Sequence, residues 1–288
     1  MTAKQVKLTI PELHRKSIQY RRTILSIIKA AKAGHTGGDL SCIDILNVLY
    51  NHTLNVSPDT FEDPTRDRYI HSKGHSTEAL FTVLGDKGFF PKEELETLNT
   101  FQSHFIGHPT RKVYGVEHNT GALGHGLPVS VGIALAGKMD NLPYRVFTLL
   151  GDGELEEGSN WEASMSAAHY GLDNLIVIID RNTLQITGRT EEVSQLEPLG
   201  DKFRAFGYAV SEVDGNDVSE LVKIFEKIPF EEGKPNLILA RTIKGRGVSY
   251  IEDQANWHHH VPSDEEFAIA MAEFDLAEEK WRVKYGNG

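Results

Sequence analysis

Two strand-like runs about thirty residues apart, with a helical segment between them, constrain this chain more than any other feature. Tyr144 to Leu150 (YRVFTLL) is rich in β-branched and aromatic residues and carries nothing that favours a turn. Gly151-Asp152-Gly153 breaks the run. Ser159 and Glu162 have the S-x-x-E spacing of a capping box, which predicts a helix from Ser159 to about His169, stopped by Gly171. Leu175 to Ile179 (LIVII) is continuously apolar, the pattern of a strand buried on both faces, and Asp180-Arg181-Asn182 ends it. Strand, helix and parallel strand together make a βαβ unit. Both strands of such a unit finish at the same sheet edge, where ligands bind. Asp152 and Asn182 are therefore expected to meet there. A carboxylate and an amide oxygen are hard ligands suited to Mg²⁺ or Ca²⁺, and Gly153 leaves its N–H open to a phosphate. The competing reading of the same residues is a tight turn and an Asn cap in an ordinary α/β sheet.

The rest of the chain alternates in the same way. An amphipathic helix is predicted from Pro11 to Ala33, with Leu13, Ile18, Ile24, Leu25 and Ile28 near one stripe. Gly34 to Gly38 reads as a flexible loop around His35, followed by a second helix capped by Ser41 and Asp44 and running through Leu49. A short strand is expected at Arg68 to His71, then helices at Ser76 to Leu84, from Pro91, and at Leu127 to Lys138. Beyond the βαβ unit, Thr183 to Gly200 reads as a loop. Helices follow at Asp201 to Phe206 and Asp217 to Ile228, strands at Tyr208 to Val213 and Pro235 to Thr242, and a last helix from Ser263 to about Lys284. This pattern predicts an α/β fold: a doubly wound, mostly parallel sheet with helices on both faces. Residues 1–288 are expected to form a single domain, with the N-terminal and C-terminal helices as extensions.

The net charge of −11 argues against a nucleic-acid or anionic-membrane partner. Cys42 is the only cysteine, so no intrachain disulfide is possible, which fits a reducing cytoplasm. No run approaches the ~20 apolar residues of a membrane span. Lys7, His14, Arg15, Arg21 and Arg22 interrupt the apolar positions that a signal peptide needs.

The chain has 13 histidines, and His35, His75, His108 and His258 stand in loops beside or near glycines. One alone is surface decoration. Several converging on the Asp152–Asn182 edge would suit acid–base work or phosphate contact, because imidazole titrates near neutrality. Of His258, His259 and His260, adjacent side chains alternate in direction, so one or two would face such a pocket. Gly121-Ala122-Leu123-Gly124-His125-Gly126 does not have the G-x-G-x-x-G dinucleotide spacing and is better suited to close approach by another cofactor. Glu154 and Glu156 read as solvent-facing acids in a first helical turn.

Taken together, Gly34-His35-Thr36-Gly37-Gly38, Ser72-Lys73-Gly74-His75, Gly107-His108-Pro109, Gly121 to Gly124, and Gly151-Asp152-Gly153 with Asn182 resemble transketolase in order and spacing. The resemblance implies thiamine diphosphate as cofactor. Asp152, Asn182 and the Leu184 carbonyl would hold Mg²⁺, with Ca²⁺ or Mn²⁺ as substitutes. His75, Gly153 and His258 would contact the diphosphate, the Gly121 carbonyl would receive the cofactor's amino group, and Leu123 would pack on its rings. His35 and His108, with His258, would serve sugar hydroxyls and proton transfer. Glu157 and Glu162 would lie at a subunit interface. The chain resembles only the family's N-terminal, diphosphate-binding part. It therefore implies a C-terminal partner subunit carrying the pyrimidine-binding domain and the activating glutamate, in a dimer of heterodimers acting on sugar substrates. Thr36 and Ala122, where the family often has proline, and His125, where it often has glutamine, leave the donor and acceptor sugars open. Two alternatives stand beside this reading: the alpha subunit of a 2-oxo acid dehydrogenase, and a non-catalytic binding subunit of the same fold.

Overall fold

The computed structural model describes residues 7–286, so the outermost residues of the 1–288 span lie outside the described part. Its centre is a five-stranded sheet of β1 (Arg68–His71), β2 (Val146–Gly151), β3 (Leu175–Arg181), β6 (Ala209–Asp214) and β7 (Asn236–Arg241). The strand order is β1-β2-β3-β7-β6 and every pairing is parallel. Alternation along the strands explains why helices cover both faces. Phe147, Leu149, Ile176, Ile178 and Ile238 enter one core, with α1 (Ile10–Ala31), α2 (Thr36–Val48), α3 (Thr77–Asp86) and α8 (Val218–Phe225). Val146, Leu150, Leu175, Val177, Ile179 and Leu237 enter the other, with α4 (Gly126–Met139), α5 (Gly158–His169) and α7 (Leu199–Phe206). Each such side chain, fully buried, stabilises the fold by about 1.5–3 kcal/mol relative to exposure. The last helix, α9 (Asp264–Tyr285), packs on α1.

Strands and most helices fall where the sequence places them, and the doubly wound expectation holds. Four local expectations do not. The segment after Gly34 is not a flexible loop: His35 is the N-cap and α2 begins at Thr36. Gly37 and Gly38 serve close packing there, since a Cβ on Gly37 would lie 2.8 Å from the Trp257 carbonyl oxygen. Ser41 and Asp44 are consequently helix-interior rather than caps. Asp44 is paired with Arg21 at 2.6 Å, and Ser41 donates to Asp180 at 2.6 Å. Ser159 and Glu162 make no capping box. Glu157 is the N-cap of α5, and the Ser159 hydroxyl donates instead to the Gly124 carbonyl at 2.6 Å. Finally, the predicted loop 183–200 contains a small antiparallel hairpin, β4 (Leu184–Gln185) with β5 (Gly188–Arg189), and a helical turn, α6 (Thr190–Val193). Among the described residues, no helix is long and apolar enough to cross a membrane.

Candidate active site

The C-terminal ends of β2 and β3 open into a cavity of about 450 Å³. Parallel registry puts Gly151 opposite Asp180, so the turns that follow the two strands face each other. Asp152 Oδ2 accepts hydrogen bonds from Thr183 N at 2.6 Å and Arg181 Nη1 at 3.0 Å, while Oδ1 accepts from Gly153 N at 2.9 Å. Asn182 Oδ1 accepts from Leu184 N at 3.1 Å, and its Nδ2 donates to Asp180 at 3.2 Å. Asp152, Asn182 and Leu184 all line the cavity.

Burial and the neighbouring Asp180 push Asp152 above the ordinary carboxylate range, with Arg181 only partly offsetting them. That carboxylate is short of positive charge, and a hard cation at its free lone pairs would reverse the shift. A carboxylate, an amide oxygen and a backbone carbonyl are the donor chemistry such an ion needs. The walls also admit a closely held ligand. A Cβ on Gly153 would sit 2.9 Å from Gln185 Oε1, and one on Gly121 would sit 2.6 Å from His108 Cδ2. The residues present therefore fit a metal-bound diphosphate cofactor. Gly121 also has φ +136°, a conformation that alanine adopts only with strain of about 1–3 kcal/mol. Gly121→Ala is expected to lower the thermal unfolding midpoint by several degrees and to displace His108; a melting curve checks it.

The four histidines singled out in the sequence are brought together. The His35 ring lies 5.4 Å from His75, 6.0 Å from His108 and 5.6 Å from His258, and His75 stacks on His258 at 5.2 Å. All four line the cavity. Of the three consecutive histidines, His258 faces the cavity, His259 meets the His35 ring at 4.7 Å, and His260 packs on Trp257 at 4.4 Å. Burial, reinforced by neighbouring His259, His108, Lys244 and Lys73, pushes His35 down to about 4. Burial and Lys244 push His258 down to about 3, burial and Lys73 hold His75 well below the usual range, and burial lowers His108. These rings are neutral at pH 7, so each can accept a proton or a hydrogen bond at one nitrogen and donate at the other.

Gly121 and Leu123 also line the cavity, whereas Glu157 and Glu162 do not and are exposed around the start of α5. Glu154 corrects the sequence reading. It is buried, not solvent-facing, and accepts from Gly124 N and Gly151 N at 3.0 Å each and from the Ser72 hydroxyl. It thereby ties the Gly121–Gly126 loop to the end of β2. Sequence reasoning also missed Lys244. Its ammonium donates to the Leu184 carbonyl at 3.1 Å and contacts His258 Nδ1 at 2.7 Å, and burial with Lys73 pushes it down to about 8. The signal was available: Lys244-Gly245-Arg246-Gly247 follows a strand at the same sheet edge as the other glycine-flanked loops.

A parallel α/β sheet whose strand ends carry hard oxygen donors, close glycine walls and neutral imidazoles has the donor chemistry and room for a diphosphate cofactor. Residues 13–285 match the family model described as transketolase, thiamine diphosphate binding domain. The chain belongs to the transketolase family, as the thiamine diphosphate-binding N-terminal part. It is 46% identical over 98% of its length to an apulose-4-phosphate transketolase subunit from Phocaeicola vulgatus, covering 100% of that relative. It is 41% identical over 88% of its length to a 6-deoxy-6-sulfo-D-fructose transketolase subunit of Clostridium sp., covering 93% of it. The crystal structure of transketolase from Campylobacter jejuni superposes with a TM-score of 0.79 and 28% identity over 96% of this chain. This chain covers 49% of that structure, so it spans about half the length of the solved transketolase it matches.

Proposed function

We propose that this chain is the diphosphate-binding subunit of a split transketolase. The assembly transfers a two-carbon ketol unit from a ketose to an aldose and is active only with a C-terminal partner subunit. The observation that carries this reading is one cavity lined jointly by Asp152, Asn182 and Leu184 and by four neutral imidazoles. Asp152, Asn182 and the Leu184 carbonyl would hold Mg²⁺. His75, Gly153 and His258 would hold the diphosphate, and Gly121 and Leu123 would hold the cofactor's ring end. When bound, thiamine diphosphate supplies the electron sink for carbon–carbon cleavage. The chain's own part is to hold the ligand, exclude water and move protons. His35 and His108 accept and return protons of sugar hydroxyls at a neutral ring nitrogen, with His258 beside them. Glu157 and Glu162, exposed on and before α5, lie at the contact between subunits of a dimer of heterodimers. Residues 1–288 act as one domain in the cytoplasm, where the lone buried Cys42 stays reduced.

The relatives' names point to ketoses with an anionic tail, a phosphate in one case and a sulfonate in the other. Sugars of that kind, pentose phosphates included, are the proposed substrates. Calorimetry with thiamine diphosphate and Mg²⁺ on the chain plus its partner is expected to show binding, and a two-carbon transfer assay to show turnover only when both chains are present. Full activity of the purified chain alone would overturn the partner requirement. Oxidative decarboxylation of a 2-oxo acid instead of ketol transfer would overturn the reaction, and no binding would overturn the cofactor.

A further inference from the structure

Behind His35 lie two carboxyl groups that the proposed chemistry does not use. Asp39 on α2 and Glu78 on α3 are both fully buried. Asp39 Oδ1 accepts from Ala79 N at 2.8 Å, holding α2 to the start of α3. Among the described residues, neither carboxyl has an ion pair of its own. No well-formed hydrogen bond from those residues reaches Asp39 Oδ2 or either Glu78 oxygen, although all are sealed from solvent; the backbone donors facing the Glu78 carboxyl are only its own N–H and that of His35. Two bare carboxylates in that position would each bear a heavy desolvation penalty and repel one another. The two carboxyls stand in side-chain hydrogen-bond contact with each other, and a single proton between them satisfies both. Glu78 also lies beside the backbone that presents His35: its Oε1 would be 3.1 Å from a Cβ placed on Gly34.

We propose that Asp39 and Glu78 form a proton-sharing carboxyl pair that positions His35, and that loss of the shared proton sets an alkaline limit on the enzyme. The role of His35 as a substrate-facing group rests on the functional reading above; the pair itself does not. The ionisable groups that face it are Lys73, which favours ionised Asp39, then Cys42 on α2 and His35, whose backbone faces the Glu78 carboxyl. Burial holds Asp39 well above the carboxylate range and pushes Glu78 up to about 7, consistent with a pair that gives up one proton near neutrality and keeps the other.

Glu78→Gln replaces the shared proton with a permanent N–H donor. Infrared spectra of the wild-type chain are expected to show one protonated carboxylic acid at pH 8, and the band should vanish in Glu78→Gln and Asp39→Asn. Groups protonated more strongly in the folded state lend stability below their unfolded pKa of ~4, and that stability is lost as pH rises through the folded value. The wild-type melting midpoint should therefore fall as pH rises from 4 through about 7 and beyond, and that of Glu78→Gln should stay flatter. With the partner present, wild-type turnover should drop about tenfold per pH unit beyond the second ionisation, and Glu78→Gln should lose that limb. Glu78→Leu, which removes the donor, should lose about tenfold or more at every pH. An absent acid band, or coincident stability and activity profiles for wild type and Glu78→Gln, overturns the proposal. A protonated pair in a chain with no ketol transfer upholds the pair and refutes the functional reading.

Discussion

Asp152→Asn is expected to keep the fold and lose the cofactor. The amide has the carboxylate's shape; with its oxygen at the Oδ2 position it keeps the bonds from Thr183 N and Arg181, but its NH₂ group would face Gly153 N and the pairing with the Arg181 guanidinium loses its charge. Arg181 keeps two other carboxylate partners, Glu191 at 2.6 Å and Glu197 at 3.2 Å, and the Thr190 hydroxyl at 2.7 Å, so the cost to stability is that of one charged hydrogen bond, about 1–3 kcal/mol. The cost to binding is larger, because the only anionic member of the proposed metal set is gone. Loss of one partner from a buried charge contact costs about 3–5 kcal/mol, which is roughly 150- to 5000-fold in affinity. Thermal unfolding with and without thiamine diphosphate and Mg²⁺ separates the two effects. The wild-type midpoint should climb when both are added, as expected for ligands that bind only the folded state. The Asp152→Asn midpoint should start slightly lower and stay there. A variant that binds with wild-type affinity would place the metal elsewhere.

The Asp152–Asn182 edge was legible because it is built from local patterns. A β-branched run and a continuous apolar run fix two parallel strands, and parallel strands must deliver their following turns to one edge. The glycine-flanked histidines were legible for the same reason, since each loop follows a predictable element. What the sequence did not reveal depends on partners distant in the chain. Glu154 looks like a first-turn acid beside Glu156, yet its carboxyl is taken up by Gly124 and Ser72, 30 and 82 positions away. Gly37 and Gly38 look like flexible punctuation. They lie in the first turn of α2, where the Trp257 carbonyl leaves no room for a Cβ on Gly37 and the His75 ring leaves little for one on Gly38, and those contacts come from two other loops. Ser159 and Glu162 carry the letters of a capping box, but the helix starts at Gly158 with Glu157 as N-cap and the Ser159 hydroxyl donates to the distant Gly124 carbonyl, so tertiary contact overrides the local motif. Lys73 and Asp180 were visible only as members of motifs, and nothing in their spacing announces that they meet.

That meeting underlies the cavity. Lys73 and Asp180 are an ion pair with no meaningful exposure, at 1% and 0%. Lys73 also donates to the Gly38 carbonyl at 3.0 Å, and Asp180 accepts from Ser41, Asn182 and the Thr242 hydroxyl. Burial pushes Asp180 upward, but Lys73 and these hydrogen bonds outweigh it and hold the carboxylate below its usual range. Lys73→Met keeps the length and apolar stem of the side chain and removes the charge. It should therefore destabilise the chain by about 3–5 kcal/mol near neutral pH, the cost of an unpaired buried carboxylate. The pH dependence gives the cause away. In the wild type the depressed pKa contributes stability above the unfolded value of ~3.9, lost as pH falls through the lower folded value. In Lys73→Met, burial alone raises the folded pKa, so the contribution from Asp180 is intact below the unfolded value and lost as pH rises. The deficit relative to wild type should thus be smallest in acid and largest at neutrality, and Lys73→Met combined with Asp180→Asn should recover part of it. Denaturant unfolding of the four chains from pH 4 to pH 8 measures this as a double-mutant cycle. A deficit that does not change with pH would mean that Lys73 acts by packing alone, and that the position of Asn182 over the cavity does not depend on the charge beneath it.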